Sequence, residues 1–82
     1  MGYLLTRTEA KTFGRDVRLL LEELDVTQET LAVACAEEDM SIAYVKAVCT
    51  GAIVYESAKL RAVAGALGLN LPSEKKRAGK KR

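Results

Sequence analysis

Residues 27–51, TQETLAVACAEEDMSIAYVKAVCTG, constrain the fold more tightly than any other stretch of the chain. They read as two short helical segments joined by a turn. Thr27 is placed to cap the first segment, QETLAVACA, and either Asp39 or Ser41 to cap the second, at about residues 41–50. Gly51 follows as a left-handed C-cap. Leu31, Ala34 and Cys35 are spaced to form the buried stripe of the first segment, and Val45, Val48 and Cys49 that of the second. Ile42, Ala43, Lys46, Ala47 and Thr50 then fall wholly or partly on the other side. Ala32, Ala34 and Ala36 are small enough to let another helix approach closely. The turn carries Glu37, Glu38 and Asp39, acids that suit the dipole of the helix after them.

Helical periodicity continues on both sides. Residues 8–24 predict a helix with Thr8 as N-cap and Glu9 in its first turn. Ala10, Phe13, Val17, Leu20, Leu21 and Leu24 recur at steps that line one face. Gly14 sacrifices helix propensity and permits close packing. Asp25 and Val26 form the break. After Gly51, the sequence AIVY reads as a loop, and Glu56 or Ser57 opens a fourth helix. Leu60, Val63, Ala64 and Leu67 face inward there, and Gly68 closes it. Pro72 marks the end of the fold, with at most a further turn near residues 69–74. The fold class is therefore a compact all-α domain of four helices over residues 1–72, a fifth being left open. Residues 73–82 have no apolar pattern and are expected to form a disordered basic tail.

Charge divides along the same boundary. Residues 1–72 carry seven Lys/Arg and ten Asp/Glu, a net −3, whereas residues 73–82 carry six Lys/Arg and one Glu, a net +5. Lys75, Lys76, Arg77, Lys80, Lys81 and Arg82 thus hold most of the charge that could attract a polyanion. A solubilising role is the alternative for this tail.

Several functions are disfavoured. The chain has no His, so no Ser or Cys has the usual partner for nucleophilic catalysis. Cys35 and Cys49 are too few for a metal site and sit in small apolar surroundings, as buried thiols do. No Gly-rich phosphate loop is present. The acidic pairs Glu22/Glu23 and Glu37/Glu38 read as solvated faces rather than an acid/base pair, since sequence neighbours on a helix point apart. An enzyme, a metal, a cofactor and a small-molecule substrate are therefore not expected. No apolar run approaches the roughly 20 residues of a membrane span, and residues 1–11 lack the pattern of a secretion signal. The expected compartment is the cytoplasm.

The order LDVTQETLAVA, an apolar-and-polar helix, TG, then LRAVAGALGL resembles the lambda-repressor/Cro (XRE-type) helix-turn-helix. The matching positions are Thr27, Gln28, Leu31, Ala32, Gly51, Leu60, Ala64, Ala66, Leu67 and Gly68, and the resemblance covers about residues 13–71. The chain departs from the family pattern in a longer turn between Ala34 and Val45, with EED as the natural insertion. Many members pair an Arg in the first helix with a Glu ahead of the Gly; the aligned residues here are Leu21 and Cys49, apolar together. NLPSEKK stands where a fifth helix often lies.

The resemblance implies a lambda-repressor-like domain that binds double-stranded DNA as a homodimer. Thr27, Gln28 and the start of the second helix would meet phosphate. Ser41, Ile42, Ala43, Lys46, Ala47 and Thr50 would face the major groove, with Tyr44 at its edge. Only Ser41 and Lys46 there offer polar reach to bases. Ile53, Val54 and Tyr55 either pack under the fourth helix or form a dimer face. The function implied is a small phage or bacterial transcription regulator, a repressor acting by promoter occlusion. The alternative is a protein-interaction module on the same scaffold, antirepressor or antitoxin-like. It would use Glu37, Glu38, Asp39 and the apolar face of the third helix to bind another regulatory protein.

Overall fold

A computed structural model describes residues 3–35 and 40–73 of the chain. Four α-helices follow one another: α1 (Arg7–Leu24), α2 (Gln28–Ala34), α3 (Ile42–Thr50) and α4 (Ala58–Leu67). The all-α expectation holds for the described residues.

Each helix begins on a hydroxyl. Thr6, Thr27, Ser41 and Ser57 are the N-caps, each accepting from the backbone N–H three residues on. The expectation at α1 is corrected from Thr8 to Thr6. Thr6 Oγ1 accepts from Glu9 N–H at 3.0 Å, and the Glu9 carboxylate accepts from Thr6 N–H at 2.9 Å. This reciprocal box satisfies two donors that the first turn would otherwise leave open; Thr8 has Lys11 three residues on and forms no such pair. Gly51 and Gly68 end α3 and α4 in the left-handed conformation, and Asp25 does the same for α1 at φ 58°.

α1 packs on α3, and α2 packs on both α3 and α4. Val17, Val45, Val48, Val63 and Leu60 are sealed from solvent, with Phe13, Leu21, Leu31 and several Ala and Cys around them. Sealing a Val or Leu side chain contributes about 1.5–3 kcal/mol, so these five side chains dominate the core.

Two helix faces differ from their periodicity. Leu24, expected inside, is exposed, and Leu20 is only half-buried. In the last turn of α1 only Leu21 stays buried, and Glu22, Glu23 and Leu24 face solvent. On α2 it is Ala32, beside Leu31 and Cys35, that is buried, while Ala34 is exposed. α2 must face α3 and α4 at once, which rotates its buried arc toward Ala32.

Gly14 has the packing role expected of it. A Cβ there would collide with the Val48 carbonyl oxygen and stand 2.9 Å from that of Cys49. The backbones of α1 and α3 therefore meet directly.

Residues 3–5 run antiparallel to residues 54–56. Leu5 N–H donates to the Val54 carbonyl and Glu56 N–H to the Tyr3 carbonyl, both at 2.9 Å, with Leu4 opposite Tyr55. Glu56 is buried at 4 % exposure, and its carboxylate accepts from the backbone N–H and hydroxyl of Ser73. Pro72 and Ser73 are helical, within the further turn expected near residues 69–74. No helix among the described residues is long and apolar enough to cross a membrane.

Candidate nucleic-acid interface

α3 is gripped from one side. Val45, Val48 and Cys49 are buried against its neighbours, as their spacing requires, and Ser41, Ile42, Ala43, Lys46 and Thr50 are exposed. Lys46 has no ion-pair partner among the described residues. The Ser41 hydroxyl caps α3 by accepting from Tyr44 N–H at 3.1 Å. Thr50 Oγ1 donates to the Ala47 carbonyl at 3.0 Å, which occupies its hydroxyl proton within the helix. The exposed face thus presents a cation, two hydroxyl oxygens and small or branched apolar surface.

Two of the residues expected near this face are otherwise engaged. Tyr44 leans toward α4: its hydroxyl lies 3.4 Å from the Ser57 hydroxyl, and the Lys59 ammonium sits 5.5 Å from its ring centroid. It joins α3 to the start of α4. Ala47 is half-buried.

Thr27 and Gln28 stand at the start of α2. Thr27 Oγ1 accepts from Thr30 N–H at 3.1 Å and pairs with the Thr30 hydroxyl at 2.9 Å. Gln28 is half-buried, with its side chain close enough to Cys49 to act on that thiol. This places the Gln28 amide beside α3, with donor and acceptor capacity for a ligand.

Burial pushes the Cys49 thiol up; the Gln28 side chain and the nearby charge of Arg18 oppose that rise without reversing it. Burial also raises Cys35, whose Sγ donates to the Ala62 carbonyl at 3.7 Å. Both are protonated core groups at neutral pH. No group of three or more His, Cys, Asp or Glu gathers among the described residues in a way that could hold a metal.

The residues of the AIVY loop separate. Ile53 packs against the core, whereas Val54 and Tyr55 are about half exposed. Leu4, 72 % exposed, stands opposite Tyr55 and enlarges this apolar surface. No sequence pattern announces Leu4 there, because a single bridge pair has no periodicity. Glu37, Glu38 and Asp39 lie outside the described residues, as do Lys75, Lys76, Arg77, Lys80, Lys81 and Arg82.

The flank of α3 holds groups that the charge balance concealed. The Lys11 backbone lies against Gly51, where a Cβ would be 3.1 Å from the Lys11 Cα. One and two turns further along α1, Gly14 touches the Val48 and Cys49 carbonyls and Arg18 brings its charge to Cys49. Basic residues of α1 thus border the helix expected to meet a ligand. Compared with models of protein families and with curated protein sequences, the chain finds no match in either.

Proposed function

We propose that the chain is a small DNA-binding transcription regulator of the lambda-repressor/Cro helix-turn-helix kind, phage or bacterial, with α2 and α3 as the two helices of the motif. α3 docks in the major groove and represses by occluding a promoter. The observation that carries this reading is the division of α3: one side locked into the core, the other open and carrying Ser41, Ile42, Ala43, Lys46 and Thr50. A helix held so rigidly along one side can enter a groove about 12 Å wide without losing order.

The readout is modest. Lys46 supplies a phosphate or guanine contact, Ser41 a hydroxyl, and Ile42 and Ala43 apolar contacts for thymine methyls. Gln28, beside Cys49, has donor capacity for a phosphate. Specificity then rests on DNA shape and on a second copy reading a half-site about 34 Å away. Leu4, Val54 and Tyr55 form the uncharged surface through which two copies pair.

The second reading is a protein-interaction module on the same scaffold. It is favoured by the scarcity of base-reading side chains on α3, where Lys46 is the one cation and Arg, Asn and Gln are absent. Salt separates the two. DNA binding must weaken steeply as salt rises, whereas binding of an apolar protein surface must not. In an anisotropy titration of a labelled duplex, Lys46→Ala is expected to weaken binding and lower the salt slope by about one unit. Equal binding by both proteins at every salt concentration sinks the docking of α3.

A further inference from the structure

Arg7, Lys11, Arg15 and Arg18 are all exposed and follow one another on α1 at steps of four, four and three residues. At 3.6 residues per turn these steps keep all four within an arc of about 80°, over about 16 Å of helix. The arc adjoins the face of α1 that meets α3. Lys11 abuts Gly51, Gly14 touches the last carbonyls of α3, and the charge of Arg18 reaches Cys49. Lys46, three residues ahead of Cys49, is an exposed cation on α3 itself.

Little within the fold neutralises this stripe. Arg7, Lys11 and Arg18 have no ion-pair partner among the described residues. Arg15 meets Asp16 at 3.5 Å, with 62 % of the Arg15 side chain exposed; such a pair is weak, and the guanidinium keeps further N–H donors. Glu9 is committed to the α1 cap and to the Tyr3 hydroxyl. Glu22 closes the stripe at its far end, sharing a shallow depression with Arg15, Arg18 and Leu19. Like charges one helical turn apart destabilise a free helix, and a polyanion removes that repulsion.

We infer that the α1 stripe of Arg7, Lys11, Arg15 and Arg18 is a second nucleic-acid contact, one that follows the phosphodiester backbone beside the groove occupied by α3. The inference rests on the DNA-binding reading of α3 for its placement. Phosphates succeed one another every 3.4 Å of rise along a strand, so a 16 Å row of cations spans several of them. An anionic lipid surface fits less well: membrane-bound helices set their cationic face against a broad apolar one. The apolar face of α1 is instead spent on the core, leaving Leu19 and Leu24 exposed.

The test uses the full chain and a labelled duplex of about 20 base pairs, titrated over a salt series. Three proteins are compared: wild type; Arg7→Ala, Lys11→Ala, Arg15→Ala and Arg18→Ala combined; and Arg7→Lys, Arg15→Lys and Arg18→Lys combined. Circular dichroism checks that each is folded, and Lys46→Ala is run alongside. The alanine protein is expected to bind roughly tenfold or more weakly near physiological salt, with a salt slope smaller by about three to four units. The lysine protein should keep the wild-type slope. If the alanine protein keeps that slope while Lys46→Ala loses affinity, the stripe inference is overturned and the α3 reading stands. If the alanine protein loses the slope and Lys46→Ala changes nothing, the stripe is a phosphate surface and the α3 reading falls. Wild-type binding to phosphatidylserine vesicles but not to the duplex overturns both.

Discussion

The Glu56 carboxylate accepts two hydrogen bonds from one residue, Ser73: the backbone N–H at 3.0 Å and the hydroxyl at 2.7 Å. Glu56 also donates its own N–H to Tyr3. One buried acid therefore ties the start of the described chain, the loop before α4 and the end of the described chain. Hydrogen bonds to an ionised group are worth about 1.5–3 kcal/mol each. Glu56→Ala is expected to lower unfolding free energy by about 3 kcal/mol or more, and Glu56→Gln, which can still accept from the N–H, by less. Urea denaturation followed by circular dichroism measures both, and an unchanged midpoint for Glu56→Ala would show that the tie contributes nothing.

Gly14 and Gly65 should respond oppositely to the same substitution. A Cβ on Gly14 meets the backbone carbonyls of Val48 and Cys49, which have no side-chain freedom to yield. Gly14→Ala is expected to destabilise by about 1–3 kcal/mol through that overpacking. Gly65 lies within α4 with nothing near its missing Cβ, so Gly65→Ala should stabilise by about 0.5–1 kcal/mol. Thermal unfolding of the two variants checks the pair, and a common sign contradicts the packing described for α1 and α3.

The ends of helices were legible in the sequence because capping is local. Thr27, Ser41, Ser57, Gly51 and Gly68 stand where their chemistry places them. The Thr6/Glu9 box is equally local, but Thr8 stands nearer the first apolar position, Ala10. Which face of a short helix is buried was less legible. Ala34 against Ala32, and the exposure of Leu24, depend on partners distant in sequence. The cations of α1 were hidden by summing charge over residues 1–72, although their four-four-three spacing was readable. The pairing of Leu4 with Tyr55 is set by tertiary structure, and no local pattern announces it.

Cys35 and Cys49 should be unreactive in the folded chain. Burial raises both thiols, and the thiolate is the nucleophile. Because the folded values are raised, the stabilisation is complete at neutral pH. It is lost as pH climbs past the free-thiol value of about 8.5, where the unfolded state gives up its protons first. Labelling with a chromogenic disulfide at neutral pH is expected to be slow natively and fast in urea. Fast native labelling of both thiols contradicts their burial.

The proposed pairing of two copies through Leu4, Val54 and Tyr55 has a direct consequence. Leu4→Lys places a charge in the middle of that surface, and its mirror in the second copy places another opposite. The wild type is expected to sediment as a dimer, and the variant as a monomer at the same concentration with its helix content intact. A wild-type chain that stays monomeric at high micromolar concentration and on DNA argues against this pairing.

The most direct measurement is amide-resolved NMR of the ¹⁵N-labelled full chain, titrated with a short duplex at about physiological salt. The amides of Ser41, Ile42, Ala43, Lys46 and Thr50, with Gln28 beside them, are expected to shift most, followed by those of Lys11 and Arg18. Shifts confined to residues 74–82, with those of α3 unmoved, would contradict the claim that α3 carries the function.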